Sequence, residues 1–391
     1  MTRVGSGNEV AARMGDIAPF HVMDVMARAE ALAAQGRSVI SLCVGEPDFP
    51  TPQPILDAAM GALELGRFPY TQALGIPALR EAIAAFYLQR YNHKVPPERV
   101  VVCAGSSAAL LMIMGVLVNP GDRVLLADPG YPCNRQFVRL MGGQPVGIPV
   151  AADTGYQFTS ESIRRNWDER TAAVLVGSPA NPTGAMISAA SLGDISRLVA
   201  QKSGHLIVDE IYHGLTYDID AATALSISDD IFVINSFSKY FSMTGWRLGW
   251  LIAPERFVRE IEKLAQNLFI APSTPAQLAA LAAFAPETLV LLEARRAQFQ
   301  QRRDFLVPAL RALGFSIPVA PEGAFYIYAD CSRFTDNSQA FAAQVLEQTG
   351  VAIAPGLDFG DHLPQRHVRI SYCTSIDNLQ EAVARLRNFL A

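Results

Sequence analysis

The sequence predicts an α/β fold, in which a large, mostly parallel sheet carries helices on both faces and a smaller α+β domain accompanies it. Between about residues 97 and 255, short apolar runs alternate with longer amphipathic segments, as expected for strands separated by helices. After Glu287 a long helical pattern opens a different order of elements. A length of 391 residues leaves room for about two such domains.

The strand candidates of the first region share an apolar character on both faces, which is typical of a buried parallel sheet. They are Val100–Cys103, Arg123–Ala127, Ala172–Val176, Leu206–Val208, Ile231–Ile234 and Leu248–Ile252. Helical patterns lie between them at Ala108–Val118, Asn134–Met141 and Ala189–Gln201. Sheets of this kind bind ligands at the carboxyl ends of their strands, so polar residues there are the first candidates for function.

The second region predicts the smaller domain. Its elements are a helix at Glu287–Arg311, strands near Gly314–Val319, Ala324–Tyr328 and His367–Tyr372, and helices at Gln339–Gln348 and Asp377–Leu390. An N-terminal helix at Met23–Gln35 precedes the large sheet, and we expect it to pack with these C-terminal elements. The smaller domain would then be discontinuous, with residues 1–47 and 287–391 on either side of a large domain at 48–286.

Composition and charge argue against several classes of protein. Lys plus Arg number 32 and Asp plus Glu 37, and a formal charge of −5 disfavours nucleic-acid binding. The most apolar stretch, Ala104–Val118, is too short to span a bilayer, and the N-terminus lacks the layout of a signal peptide. Five cysteines without a CxxC pair indicate reduced thiols, and the six histidines form no metal-ligand spacing. These features predict a soluble cytoplasmic enzyme without a metal site.

Three polar segments follow predicted strands. Ser106 and Ser107 stand where a strand gives way to a helix, so their backbone N–H groups could bind an anion or simply form the helix cap. Asn181 lies in the sequence SPANPTG, which is either a rigid loop that fixes the amide or a plain turn. Asp209 directly follows an apolar run, where its carboxylate either caps the backbone or faces a cationic ligand group.

Two further segments carry cations next to apolar strands. Lys239 lies just past a strand and is flanked by Ser236 and Ser238, and a buried lysine there could act as a Schiff-base nucleophile. Arg247 follows eight residues later, and its planar guanidinium is suited to bind a phosphate. The alternative is that Lys239 and Arg247 are both surface cations. Arg369 lies between apolar neighbours, as a salt-bridged structural residue or as a clamp for a ligand.

Together these segments resemble the fold-type-I pyridoxal-phosphate-dependent aminotransferases of class I/II. The resemblance covers nearly the whole chain in the same order, and it implies a seven-stranded type of sheet. The matching segments are VGEPDF (44–49), Tyr70-Thr-(x)3-Gly-(x)3-Leu-Arg80, DPGYP (128–132), SPANPTG (178–184), VDEIY (208–212), SFSK (236–239), GWRLG (245–249), PEGAFY (321–326) and RISY (369–372).

The resemblance implies a role for each matching residue around the cofactor ring. Lys239 would hold pyridoxal 5'-phosphate as a Schiff base and then move the proton, and Asp209 would pair with the pyridine nitrogen. Tyr212 and Asn181 would hydrogen-bond the ring oxygen O3′, and Tyr131 would stack on the ring.

The same resemblance implies a phosphate site, a carboxylate clamp and a homodimer. The phosphate site would consist of Gly105, Ser106, Ser107, Ser236, Ser238 and Arg247. Arg369 would bind the substrate α-carboxylate with help from Asn181 and the backbone of Gly45. The tyrosine that matches Tyr70 reaches the phosphate of the neighbouring subunit in this family, which implies active sites shared across a two-fold dimer.

The expected reaction is a ping-pong transfer of an amino group from an L-α-amino acid to a 2-oxo acid. Several relatives carry a lysine where Ser107 stands, and this chain lacks that cation. The segment Ile17–Phe20 resembles the family's mobile gate but supplies no cation either. A neutral or apolar amino donor is therefore favoured. A β-lyase or another elimination enzyme on the same fold remains the alternative. A transcription regulator with an aminotransferase-like domain is disfavoured, because the match begins within the first fifty residues and the charge is negative.

Overall fold

The structure, a computed structural model, describes residues 10–391. Residues 1–9 of the predicted discontinuous domain, and of the N-terminal segment judged for a signal peptide, lie outside the described residues. The helices are α1 (His21–Ala34), α2 (Gln53–Glu64), α3 (Pro77–Tyr91), α4 (Gly105–Leu117), α5 (Pro132–Leu140), α6 (Ser160–Asn166), α7 (Ala189–Gln201), α8 (Glu255–Leu268), α9 (Thr274–Ala280), α10 (Pro286–Leu313), α11 (Ser338–Thr349) and α12 (Ile376–Leu390). The strands are β1 (Ile40–Ser41), β2 (Val100–Cys103), β3 (Arg123–Asp128), β4 (Gln144–Pro149), β5 (Thr171–Gly177), β6 (His205–Asp209), β7 (Phe232–Ser236), β8 (Gly249–Ile252), β9 (Tyr326–Asp330), β10 (Val351–Ala352), β11 (Ala354–Pro355) and β12 (His367–Ser371).

A seven-stranded sheet dominates the fold, which confirms the predicted α/β class. Its order is β2-β8-β7-β6-β5-β3-β4, and every pair is parallel except those that β8 makes with β2 and β7. The six predicted strands are all present within two residues of their expected bounds. The sequence missed the edge strand β4, because Pro145, Gly147 and Pro149 break its apolar pattern and only one of its faces is covered.

Alternating residues of the central strands enter two separate apolar cores. Ala173 and Leu175 of β5 pack with α4 and α8 on one face, whereas Val174 and Val176 pack on the opposite face with helices that include α3 and α7. This alternation follows from the two-residue period of a strand, and it requires apolar side chains at every position of a sheet covered on both faces. The strands therefore read as continuous apolar runs, and their ends are the only places for polar residues.

The C-terminal strands form an antiparallel sheet of order β11-β12-β9, and the N-terminal strand β1 pairs with β10 in parallel. The predicted strand near Gly314–Val319 is wrong: only Ser316 forms an isolated bridge, with Asp330, and Pro318 has no N–H to continue a ladder. The strand expected at Ala324–Tyr328 begins two residues later, because Ala324 adopts a left-handed turn with a φ of 59°. The division into two domains stays a prediction.

The long helix α10 begins and ends at recognisable signals. Pro286 occupies its first turn, where a missing N–H costs nothing, and Gly314 ends it in the left-handed conformation with a φ of 106°. No single helix within residues 10–391 is both long and apolar enough to cross a membrane; only the pair Thr274–Phe284 and Pro286–Leu313, bent by 80°, has the length and composition.

Two aspartates connect the N-terminal helix to the large sheet through the loop that follows β11. Both carboxylate oxygens of Asp358 accept hydrogen bonds at the start of α1, from the N–H groups of His21 and Val22, each at 2.7 Å. Asp128, at the end of β3, accepts from the N–H groups of Asp361 and His362 in the same loop. The loop thereby holds α1 against the carboxyl end of the sheet.

We predict that Asp358→Asn weakens the attachment of α1, because an amide offers one acceptor oxygen where the carboxylate offers two and carries no charge for the helix dipole. We expect a loss of about 1 kcal/mol in the free energy of unfolding, measured by urea denaturation. Backbone hydrogen exchange at His21 and Val22 should accelerate. Asp336→Asn, at an exposed aspartate without a capping role, serves as the control, and equal exchange in both variants would contradict the prediction.

Candidate active site

The carboxyl ends of the sheet strands open into a cavity of about 370 Å³. Most of the residues predicted from the sequence line it: Gly45, Ser106, Ser107, Tyr131, Asn181, Asp209, Tyr212, Ser238, Lys239, Arg247 and Arg369. The sequence distance between Gly45 and Arg369 shows that the fold, and not local order, brings these side chains together.

Lys239 projects into the cavity from the turn that follows β7. Its Nζ donates a hydrogen bond to the carbonyl oxygen of Gly45 at 2.6 Å. Burial is the main reason that the pKa of the amine falls to about 8; Cys373 and Glu46 oppose this shift, and the positive charges of Arg369 and Arg247 add to it more weakly. A substantial fraction of Lys239 is therefore an uncharged nucleophile near neutral pH.

Asp209 ends β6 and is only 8% exposed. Its Oδ1 accepts a hydrogen bond from the N–H of Ile211 at 3.0 Å. Burial raises the pKa of the carboxyl to about 6, although the Ile211 N–H and the charge of Lys239 act in the opposite direction. A cationic N–H group of a ligand would restore the ionised carboxylate, because opposite charge at short range favours it.

A candidate anion site lies at the start of α4. Gly105 begins this helix, and a Cβ at that position would lie 2.7 Å from Nη2 of Arg247, so the close approach of backbone and guanidinium requires glycine. Arg247 donates to the carbonyl oxygen of Thr244 at 3.0 Å, and no carboxylate among the described residues forms a salt bridge with it. Backbone N–H groups of Ser106 and Ser107, the Ser238 hydroxyl and this guanidinium can together bind a phosphate.

Arg369 lies in the middle of β12 and is 3% exposed. Its Nη1 donates to Oδ1 of Asn181 at 3.0 Å, its Nη2 donates to the Cys43 carbonyl at 2.8 Å, and its Nε has no partner among the described residues. No carboxylate there lies within salt-bridge distance of the guanidinium, which excludes the alternative of a salt-bridged structural arginine. A buried cation without a counter-ion is costly, and an anionic ligand would remove that cost.

Three of the predicted residues lie outside the lining. Gly105 contacts Arg247. Ser236 is buried; its hydroxyl donates to the Leu248 carbonyl and lies 3.0 Å from the Ser238 hydroxyl. Tyr70 is 82% exposed and lies away from the cavity of its own chain.

The sequence also missed residues that line the cavity. Tyr326 follows the PEGAF segment, and its hydroxyl lies 3.1 Å from that of Tyr212. The α1 residues Val22, Met23 and Met26 line the cavity too, and the helical spacing of α1 could have indicated one apolar face. Gln157 bridges the carbonyls of Gly177 and Ala185, for which the sequence carries no signal. Within residues 10–391, no group of three or more His, Cys, Asp or Glu is arranged to hold a metal ion.

We predict that Lys239 in ligand-free protein reacts with a small acylating reagent with a pH midpoint near 8, since burial lowers its pKa to about that value. Labelling should rise as pH increases through the midpoint, because only the uncharged amine reacts, and should then level off. Mass spectrometry of the digested protein measures it, with the exposed Lys94 in the same digest as the reference. Labelling of Lys239 that keeps rising steeply above pH 9 would contradict the prediction.

Comparisons with known proteins place the chain among its relatives. The sequence profile of aminotransferase class I and II matches residues 37–386. The valine–pyruvate aminotransferase of Mycobacterium tuberculosis is 40% identical over 386 residues, covering 98% of this chain and 99% of the relative. The aspartate aminotransferase of Thermotoga maritima is 35% identical and covers 97% of this chain and 99% of the relative. A crystal structure of an aminotransferase from Mycobacterium tuberculosis superposes with a TM-score of 0.95, at 39% identity and with 98% and 99% of the two chains covered.

The match in sequence and fold extends along nearly the whole chain, and the cavity holds the lysine, aspartate and arginines that the family resemblance implied. Members of this family use pyridoxal 5'-phosphate as their cofactor. The chain belongs to the aminotransferase class I and II family and is a pyridoxal-phosphate-dependent transferase.

Proposed function

We propose that this aminotransferase takes its amino group from a neutral, aliphatic L-amino acid and passes it to a small 2-oxo acid such as pyruvate. The observation that carries this proposal is the lack of a free cation for an acidic side chain among the described residues that line the cavity. Lys239, Arg247 and Arg369 are assigned to the cofactor and the α-carboxylate. The remaining cation, Arg135, is already paired with Asp128 at 2.9 Å and with Asp361 at 3.1 Å.

The apolar part of the cavity supports a donor of this class. Phe20, Val22, Met23 and Met26 line it from the N-terminal segment and α1, and Phe158 lines it from the loop after β4. An acidic side chain would lose its hydration there without gaining a partner, whereas an aliphatic one gains from the transfer out of water. The relative from Mycobacterium tuberculosis that is 40% identical is named for valine and pyruvate, which agrees with the same class.

The donor set of the cavity fits pyridoxal 5'-phosphate group by group. Asp209 would hold the pyridine nitrogen as a cation, and Tyr212 with the Asn181 amide would hydrogen-bond the ring oxygen. The phosphate would bind at the backbone of Gly105, Ser106 and Ser107, the Ser238 hydroxyl, which the buried Ser236 hydroxyl contacts at 3.0 Å, and Arg247, whose guanidinium has no carboxylate partner among the described residues. Tyr131 would cover one face of the ring.

When bound, the cofactor supplies the electron sink that makes the Cα–H bond of the amino acid breakable. The chain supplies the orientation and the base. Arg369, with Asn181 and the Gly45 backbone beside it, would bind the α-carboxylate in a bidentate manner. Lys239 Nζ would take the proton from Cα and return it to the cofactor carbon, which its lowered pKa of about 8 permits near neutral pH.

We extend the proposal to a homodimer with shared active sites that acts in the cytoplasm. Exposed apolar side chains support the dimer; they are Leu63, Leu65, Phe68, Tyr70, Leu268 and Ile270. Exposed apolar groups of this size commonly mark an interface, and Tyr70 would then reach the phosphate of the partner's site. The five cysteines are free, which agrees with a reducing compartment. The domains 48–286 and 1–47 with 287–391 would close over the bound carboxylate and exclude water.

The visible absorption of the cofactor on Lys239 tests the function directly. Added without an acceptor, valine or alanine should convert the band of the pyridoxal form into that of the pyridoxamine form, and pyruvate should restore it. Aspartate should react at least about tenfold less efficiently, because its second carboxylate gains no partner. Ammonia release with a persistent pyridoxal band would instead establish the lyase alternative, and a Lys239→Ala protein that reacts like the wild type would refute the assignment of the cofactor.

The variant Ser107→Lys provides the matched test of donor class. A lysine at this position would offer the missing cation. The ratio of kcat/KM for aspartate to kcat/KM for valine should therefore rise by about tenfold. An unchanged ratio would mean that the side chain of the donor lies elsewhere in the cavity.

Hybrid dimers test whether Tyr70 acts across the interface. We predict that a dimer of one Tyr70→Ala subunit and one Lys239→Ala subunit has about half the wild-type activity, because one of its two sites then combines a native lysine with a native partner tyrosine. Each parent homodimer lacks such a site.

The control places both substitutions on one subunit and pairs it with a wild-type subunit. If Tyr70 acts across the interface, this arrangement contains no complete site and should be far less active than the split arrangement. The reverse order of activities would show that Tyr70 serves its own chain, and dissociation into monomers by size-exclusion chromatography would refute the dimer.

A further inference from the structure

Tyr326 is a cavity residue to which neither the sequence motifs nor the proposed mechanism gives a role. It begins β9, is 1% exposed and lines the cavity between Tyr212 and Arg369. Its hydroxyl and its ring make separate contacts, and each contact reaches a different part of the site.

The hydroxyl contacts Tyr212. The two phenolic oxygens lie 3.1 Å apart, so one hydroxyl donates to the other. A phenol has a single proton to donate. If Tyr212 donates its proton towards the cofactor, the hydrogen bond between the two tyrosines must come from Tyr326.

The same hydroxyl also packs against the backbone that holds Lys239. A Cβ on Gly45 would lie 2.5 Å from the Tyr326 oxygen, so this position leaves no space for a side chain. The carbonyl of Gly45 accepts the hydrogen bond from Lys239 Nζ. Tyr326 therefore lies against both of the groups that contact the reacting end of the cofactor.

The ring of Tyr326 supports the carboxylate clamp. The Cζ atom of Arg369 lies 4.3 Å from the centre of this ring and 4.8 Å from that of Phe359. Cation–π attraction is strongest where water is excluded, and it helps to fix the plane of a guanidinium that has no carboxylate partner in the part of the chain that the structure describes. The ring thus orients Arg369 before any substrate binds.

We propose that Tyr326 is a positioning residue with two separable functions: its hydroxyl donates to Tyr212 and so orients the Tyr212 proton towards the cofactor, and its ring holds Arg369 ready for the α-carboxylate. This inference rests on the proposed roles of Tyr212 and Arg369. It predicts that removal of the hydroxyl and removal of the ring change different measurable properties.

The first measurement is a pH titration of the visible band in holoenzyme. In Tyr326→Phe, Tyr212 loses its donor and becomes a weaker donor itself, so more negative charge stays on the cofactor ring oxygen. That charge holds the neighbouring proton on the Lys239 nitrogen more tightly, and the midpoint should rise by about half a pH unit. The second measurement is the calorimetric Kd of isovalerate, a carboxylate without an amine, which should change by less than about twofold because the ring remains.

Tyr326→Leu removes both the hydroxyl and the ring. It should raise the midpoint of the pH titration in the same way, and it should also raise the Kd of isovalerate by about tenfold. Tyr328→Phe is the matched control: this tyrosine lies on the same side of β9, is buried and stacks on His367 at 4.6 Å, but does not line the cavity. It should leave both properties unchanged.

An unchanged midpoint in Tyr326→Phe, with a normal titration of the wild type, would overturn the inference alone. If the midpoint in Tyr328→Phe shifts as much as in Tyr326→Phe, the inference is also overturned, because removal of any buried hydroxyl on β9 would then have the same effect. If wild-type holoenzyme shows no pH-dependent band, or Arg369→Lys binds isovalerate as tightly as the wild type, the proposed function fails and the inference falls with it.

Discussion

The burial of charged groups without permanent counter-ions is the constraint on which this structure depends. Arg369 is enclosed by two aromatic rings, the Asn181 amide and the Cys43 carbonyl, with no carboxylate among the described residues to pair with it. Such a cation is tolerated only because the surrounding fold holds it rigidly, and its cost is recovered when an anion binds. The groups that hold it come from the segment after β1, the loop after β5 and the C-terminal sheet, so the clamp requires the complete tertiary structure.

The same burial sets the chemistry of the other two charged groups. It raises the pKa of Asp209 to about 6 and lowers that of Lys239 to about 8, so the charged form of each group is less favoured than it would be in water. Perturbed pairs of this kind are characteristic of sites that perform acid–base chemistry. A cationic group of a ligand beside Asp209 would restore the ionised form of its carboxylate.

The N-terminal helix is attached to this framework through two aspartates. Asp358 accepts hydrogen bonds from the start of α1. Asp128, at the end of β3, accepts a hydrogen bond from the loop that contains Asp358. Asp128 also pairs with Arg135 and so removes the one additional cation that lines the cavity among the described residues. In the proposed function, the carboxylate that anchors the loop therefore also leaves no free cation for an acidic donor side chain among the described residues of the cavity, and α1 contributes apolar lining groups.

The sequence by itself determined the class of fold and the strands of the large sheet except the edge strand β4, because apolar periodicity is a local property. Local pattern also marked Lys239, Asp209, Arg247 and Arg369 as candidates, but their roles came only from the resemblance to the family. The sequence placed the start of β9 two residues early and predicted a strand near residue 316 that does not form. Strand pairing and turn conformation depend on other parts of the chain, so a single segment does not determine them. Only the tertiary structure decided that Arg369 has no carboxylate partner within residues 10–391, that Arg135 has two, and that Tyr326 lies between Tyr212 and Arg369. The physical reason is that charge pairing and stacking depend on distances between residues far apart in the chain, and those distances exist only after folding.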